Sequence, residues 1–307
     1  MLENKPAEQQ TPNKQESIDN FEEQFNRKEF FDFLGEEIEV VDVSPDSLKT
    51  EVPVIIAPGW GESPETLKES IRELFKSGHR VISLTHLRVG GDINDKNDGH
   101  TAELRKAGAI QTVLKNKGIK EIDAVAHSEG AINIALAALS STNSESEQVG
   151  LFRNIVLVSP GGLVGKNSFF NLKLLTRFAS ETIKNVAHGL THRPVQKQAL
   201  KSLRDLIVYI NKNPFRATDE AISISESDIR ETLKTLHDKG VGISVIHGAD
   251  DAVFPMDSMQ KQLGNSKIID GFYSVKGGHY EISKHPKVYT HLIDSALGAL
   301  EKKHSNS

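Results

Sequence analysis

Ile122-Asp123-Ala124-Val125-Ala126-His127-Ser128-Glu129-Gly130-Ala131-Ile132-Asn133-Ile134-Ala135 decides how the rest of the chain is organised. Residues 122–126 read as a strand. From Gly130 to Ser140, Ile132, Ile134, Leu136 and Leu139 predict a helix apolar enough to be buried. Small residues stand two before and two after Ser128, namely Ala126 and Gly130. They let the chain turn abruptly from strand to helix and lift a serine hydroxyl above the carboxyl edge of a sheet. The plainer role for a serine here is a helix N-cap.

Outward from this turn, the same alternation recurs. Val52 to Ala57, Val81 to Leu84, Ile155 to Val158, Ile243 to Ile246 and Phe272 to Val275 read as further strands. Between them lie helical patterns. One follows Ser63-Pro64 with Leu67, Ile71, Leu74 and Phe75 at helical spacing and stops at Gly78; another runs from Ala102 to Lys117. Helices alternating with buried strands predict an α/β fold, a mostly parallel central sheet with helices on both faces. The alternation breaks between about residues 161 and 240, where helical patterns occur without a good strand. That stretch is expected to be a helical cap inserted into a core of residues 38–160 and 241–303. Residues 1–25, rich in Glu, Gln, Asn and Lys, read as a disordered tail, and Phe30, Phe31 and Phe33 as the point where packing begins.

Composition bounds the function. With 307 residues, 37% apolar and 26% charged, the chain is neither wholly disordered nor a membrane bundle. No cysteine is present, which excludes disulfides, thiolate metal sites, iron–sulfur clusters and a cysteine nucleophile. A net charge of −5 argues against nucleic-acid binding by bulk electrostatics. The start, MLENKPAEQQTPNKQ, lacks the basic-then-apolar pattern of a secretory signal, so a cytoplasmic location is expected. Within the expected cap, residues 166–216 hold ten Lys or Arg against Glu181 and Asp205. Such a stretch is either a solvated face or a surface that attracts anionic lipid or an anionic substrate.

A serine hydroxyl needs a base within hydrogen-bond reach and a third group to orient that base. Two other strand ends supply them in order: His247-Gly248-Ala249-Asp250-Asp251-Ala252-Val253-Phe254-Pro255, and Gly277-Gly278-His279. Competing motifs are fragmentary. Gly59-Trp60-Gly61 opens a dinucleotide fingerprint that fails at Pro64, and the glycines before Lys166 have the wrong spacing for a phosphate loop. His188 and His192 stand four apart, but Gly189 occupies the place of a metalloprotease glutamate. No metal or cofactor is expected.

Ser, then Asp, then His, each after a strand, resembles the α/β-hydrolase superfamily over about residues 38–300. The resemblance implies Ser128 as nucleophile and His279 as base. Gly248 to Pro255 matches the superfamily's Gly-x-x-Asp-x-x-x-Pro loop and implies Asp251 as the acid, with Asp250 as second choice. Ala57-Pro58-Gly59-Trp60-Gly61 resembles the oxyanion loop His-Gly-x-Gly, with Pro58 replacing the usual His. Position by position, the oxyanion donors are then the backbone N–H groups of Trp60 and Glu129, and Trp60 also lines the acyl pocket or sits in the core. The superfamily's epoxide hydrolases and haloalkane dehalogenases carry Asp at the turn, whereas this chain has Ser128. What the resemblance implies is therefore hydrolysis of a small-molecule carboxylic ester or thioester through an acyl-enzyme. Lactone, amide or C–C bond hydrolysis, or non-catalytic binding on the same scaffold, are the alternatives.

Overall fold

Val54–Ala57, Val81–Leu84 and Gly242–Gly248 are strands in which every residue is buried. Strands shielded on both faces belong in a parallel sheet covered by helices. That arrangement is seen in the structure, a computed structural model that describes residues 14–85, 102–143, 151–164, 207–208, 210–211, 214–264 and 266–305.

In chain order, the described elements begin with α1 (Lys14–Asn26), β1 (Glu29–Phe33), β2 (Glu36–Val43), β3 (Val54–Ala57), α2 (Lys68–Lys76) and β4 (Val81–Leu84). They continue with α3 (Ala102–Asn116), β5 (Glu121–His127), α4 (Gly130–Asn143), β6 (Leu151–Val158), α5 (Pro214–Glu226) and α6 (Arg230–Asp238). The last are β7 (Gly242–Gly248), α7 (Met256–Leu263), β8 (Gly271–Val275), α8 (Glu281–Lys284) and α9 (Pro286–Ser305). The strands form one sheet in the order β1-β2-β4-β3-β5-β6-β7-β8. From β4 to β8 all neighbours are parallel, whereas β1, β2 and β4 pair antiparallel.

The side-chain period of two sends alternate residues into two layers. Ile55, Ala57, Ala124, Ala126, Ile155 and Leu157 pack on one face under α3 to α7. Val54, Ile56, Val125, Val156 and Val158 pack on the other under α1, α2 and α9. After β3 the chain moves outward to β4, then crosses back to place β5 on the other side of β3. That reversal opens a crevice at the carboxyl ends of β3 and β5, the usual position for a ligand in such sheets. Residues 58–63 and 128–130 lie there.

Three expectations need correction. The stretch expected as a disordered tail contains α1, and Phe21 and Phe25, one helical turn apart, are buried. Phe21 stacks edge-on against Phe75 at 5.3 Å, and Lys28 and Lys68 lie over the Phe25 ring at 4.3 and 4.6 Å. Two phenylalanines thus offset the cost of ordering a polar helix that composition alone reads as mobile. Second, the sheet begins at residue 29 rather than 38. Phe30, Phe31 and Phe33 belong to an edge strand joined to β2 through Leu34 and Gly35, whose φ values of 55° and 74° suit a two-residue hairpin turn. Third, Ser63-Pro64 does not start the helix that follows, because α2 begins at Lys68 after a turn.

Of the expected cap, residues 161–240, the structure describes α5 and α6 as helices. Residues 1–13, 86–101, nearly all of the basic stretch 166–216, and with it His188 and His192, lie outside the described residues. Among the described residues, no helix is long and apolar enough to cross a membrane.

Docking of α1 makes a direct prediction. Phe25→Ala should lower the unfolding free energy by about 3–5 kcal/mol, the usual cost of truncating a buried phenylalanine. Urea denaturation measures it, and an unchanged midpoint would return residues 14–26 to a loose arm.

Candidate active site

At the end of β5 the backbone leaves extended geometry within one residue: Ser128 has φ of +54°. Left-handed backbone costs an L-residue roughly 1–2 kcal/mol, so the surroundings must hold it. Ser128 N–H donates to the carbonyl of Val158 at 3.0 Å, and its own carbonyl accepts from Gly161 at 2.9 Å and Ala131 at 3.1 Å. Close backbone approach also explains two small residues. A Cβ on Gly130 would sit 2.5 Å from the Ala57 carbonyl oxygen, and one on Gly59 would sit 2.9 Å from Ser128 Cβ. The loop after β3 therefore lies directly against the turn after β5.

Ser128, His279 and Asp251 form one row. Ser128 Oγ lies 2.9 Å from His279 Nε2, and His279 Nδ1 lies 2.9 Å from Asp251 Oδ2. All three are buried. Asp251 Oδ1 accepts the backbone N–H groups of Val253 and Phe254, both at 2.9 Å. Burial works to raise the Asp251 pKa, but the His279 imidazole and these hydrogen bonds hold it below the ordinary carboxylate range. An ionised Asp251 only accepts, so His279 carries its proton on Nδ1 and presents the Nε2 lone pair to the Ser128 hydroxyl. The arrangement can take a proton from Ser128 Oγ and stabilise the imidazolium that results. Asp250, the second choice for the acid, is exposed, and its backbone N–H bonds the Gly277 carbonyl at 2.9 Å.

Two buried polar groups lie beside this row. His127 Nδ1 lies 2.7 Å from Glu62 Oε2, and Nε2 lies 3.0 Å from the backbone carbonyl of His279. Both ring nitrogens face acceptors, so both carry protons. Burial works against that charge, but the Glu62 carboxylate beside it raises the His127 pKa. Glu62 also accepts the Gly59 N–H at 2.7 Å. This ion pair ties the loop after β3 to the loop bearing His279. His247 plays a simpler part, its Nε2–H donating to the Phe254 carbonyl at 2.9 Å and closing the loop that carries Asp251.

The second group surrounds Lys106. Its Nζ lies 2.6 Å from Glu129 Oε1 and 3.2 Å from Glu220 Oε1. Trp60 Nε1–H donates to Glu220 Oε2 at 3.0 Å. Trp60 is thus a core residue with a polar tether, only 6% exposed. Burial, and then the carboxylates of Glu220 and Glu103, push the Glu129 pKa up to about 7 against the pull of Lys106. Lys106 itself, which burial alone would neutralise, is held above its ordinary pKa by the same carboxylates. Nothing in the sequence marked Lys106 or Glu220, since a Lys in an amphipathic helix reads as surface. Among the described residues, no cluster of His, Asp and Glu could hold a metal ion.

Glu129 predicts a pH dependence of stability. A carboxyl that keeps its proton to about 7 when folded, but releases it near 4.5 when unfolded, weakens the fold as pH rises across that window. Glu129→Gln removes this loss. Its stability relative to wild type, from urea midpoints, should rise between about pH 5 and about pH 8 and then level off. A difference that does not vary with pH would contradict the elevated pKa.

The sequence matches no known family model, and no curated protein matches it. Solved structures do resemble it. A bacterial membrane phospholipase A, described as a virulence factor, superimposes with a TM-score of 0.65 at 13% identity, covering 92% of this chain and 89% of that one. A thermophilic esterase from Thermogutta terrifontis gives 0.64 at 16% identity, covering 89% and 99%. MGS-M2, an alpha/beta hydrolase enzyme from a deep-sea metagenome library of the Medee basin, gives 0.62 at 15% identity, covering 88% and 97%. At such identities the likeness speaks for architecture, and the chain has the α/β-hydrolase fold.

Proposed function

We propose that the protein is a serine hydrolase that cleaves a carboxylic ester or thioester through an acyl-enzyme. The observation that carries this reading is the continuous row from Ser128 Oγ through His279 to Asp251, with both contacts at 2.9 Å. A binding protein would need none of these three groups in register, and burying Asp251 and His279 side by side costs desolvation that binding alone does not repay. Several solved structures with the same fold are described as esterases or as a phospholipase.

In the first half-reaction, Ser128 Oγ bonds to the carbonyl carbon while its proton passes to His279 Nε2. Asp251 stabilises the imidazolium through Nδ1–H. The bond to the leaving group breaks, and His279 returns the proton to it. Water then repeats the sequence: His279 takes one proton, the oxygen attacks the acyl carbon, and Ser128 leaves with the proton as the acid is released. The backbone N–H groups of Trp60 and Glu129, at the ends of β3 and β5, are assigned to the oxyanion. Each such donor is typically worth about 2.7–4 kcal/mol in the barrier. A lactone is an ester closed on itself and would follow the same steps; amide or C–C bond cleavage demands more of the leaving group.

Ser128→Ala and His279→Ala should each lower kcat on nitrophenyl esters by at least about 10³ while the thermal unfolding midpoint stays near that of wild type. Esterase activity unchanged in either folded variant would rule the mechanism out. Grading the acyl chain from acetate upward identifies the preferred substrate length.

A further inference from the structure

Trp60 and Glu129, the two residues assigned as oxyanion donors, follow different strands, yet their side chains end in the same buried cluster. Trp60 Nε1–H bonds Glu220 Oε2 at 3.0 Å, Glu220 Oε1 lies 3.2 Å from Lys106 Nζ, and Lys106 Nζ lies 2.6 Å from Glu129 Oε1. Glu129 is fully buried, and Glu220 and Lys106 are 1% and 3% exposed. A second bond, from Ser223 Oγ to Glu103 Oε2 at 2.6 Å, fastens α5 to α3 beside it.

Burying a lysine among carboxylates carries a desolvation cost that their mutual attraction has to overcome. Apolar residues of similar volume would join α3, α4 and α5 more cheaply. What ion pairs and hydrogen bonds add over apolar packing is direction. Here the direction runs through two side chains whose own backbone N–H groups must keep a fixed spacing across the crevice between β3 and β5.

We infer that Lys106 and Glu220 are positioning residues of the oxyanion hole, holding the Trp60 and Glu129 backbones at constant separation through one buried chain of contacts. The inference rests on the hydrolase reading above. Glu220 lies on α5, so the cap helix contributes to transition-state stabilisation without touching substrate. Donors held in this way need no reorganisation when the oxyanion forms, and a displacement of about 1 Å is enough to cost about a hundredfold in rate.

The test compares Glu220→Leu with Glu220→Gln on nitrophenyl acetate, alongside wild type and Ser128→Ala. Glu220→Leu should lower kcat by about ten- to a hundredfold with KM held within about threefold, because the lost term belongs to the transition state. Glu220→Gln keeps an acceptor for the indole and should recover most of that loss. Trp60 is the only tryptophan, so its emission reports the contact directly: it should shift in Glu220→Leu and stay near wild type in Glu220→Gln. Should Glu220→Leu fail to fold, the triple variant Lys106→Met, Glu129→Gln and Glu220→Gln removes the charges together and should show the same fall in kcat at unchanged KM. A folded Glu220→Leu with shifted emission and wild-type kcat would overturn the inference and leave the hydrolase reading standing. So would a Glu220→Gln variant as slow as Glu220→Leu. If wild type turns over no ester, or Ser128→Ala matches it, the hydrolase reading fails and takes the inference with it.

Discussion

Left-handed backbone at Ser128 is the constraint around which the molecule is built. It reverses the chain between β5 and α4 in a single residue and brings the hydroxyl within 2.9 Å of His279. A β-carbon in that conformation is strained, so neighbours must leave it no alternative. Bonds from Val158, Gly161 and Ala131 supply the restraint, and Gly130 lets α4 begin against the Ala57 carbonyl. Because Val158 ends β6 and Ala57 ends β3, the turn is held from the strands on both sides of β5. The parallel block of the sheet thus serves as a jig for one residue.

Besides Asp251, charge is buried around that turn in two further places among the described residues, and both lead back to the chemistry. The Glu62–His127 pair lies behind His279 and grips its backbone carbonyl as well as the Gly59 N–H. The Lys106 cluster lies beside Glu129 and reaches Trp60 through Glu220. A sheet of this size could be closed by apolar residues alone, as the valines and isoleucines of its two core layers demonstrate elsewhere. Buried ions occur here where loops from separate strands must meet at fixed angles. Apolar contact is non-directional, whereas a carboxylate facing an N–H is not.

Much of this was legible from residues alone because the relevant signals are local. The strand 121–127, the small residues flanking Ser128 and the helix after Gly130 stand within about twenty residues of one another, and the structure places them as their spacing predicts. The strands that precede Asp251 and His279 also read correctly, since Ile243, Val245 and Ile246 make β7 largely apolar and glycines follow β8. What the sequence concealed depends on contacts at a distance. Helix α1 is polar by composition and is ordered by Phe21 and Phe25 against α2. The β1–β2 hairpin, rich in Glu, joins the sheet through antiparallel pairing of β2 with β4 rather than through a pattern of its own. Lys106 and Glu220 are separated by more than a hundred residues, and each alone reads as a solvated charge. Only their meeting with Glu129 and Trp60 gives them a role.

The central claim, that Ser128 is a nucleophile activated by His279, is tested most directly by a fluorophosphonate probe followed by peptide mapping. Such a probe reacts with an activated serine and leaves ordinary hydroxyls unmodified. The account predicts one phosphonyl group per chain, located on the peptide containing Ser128 and absent from both Ser128→Ala and His279→Ala. Labelling of a different residue, or none on a folded wild-type protein, would contradict it.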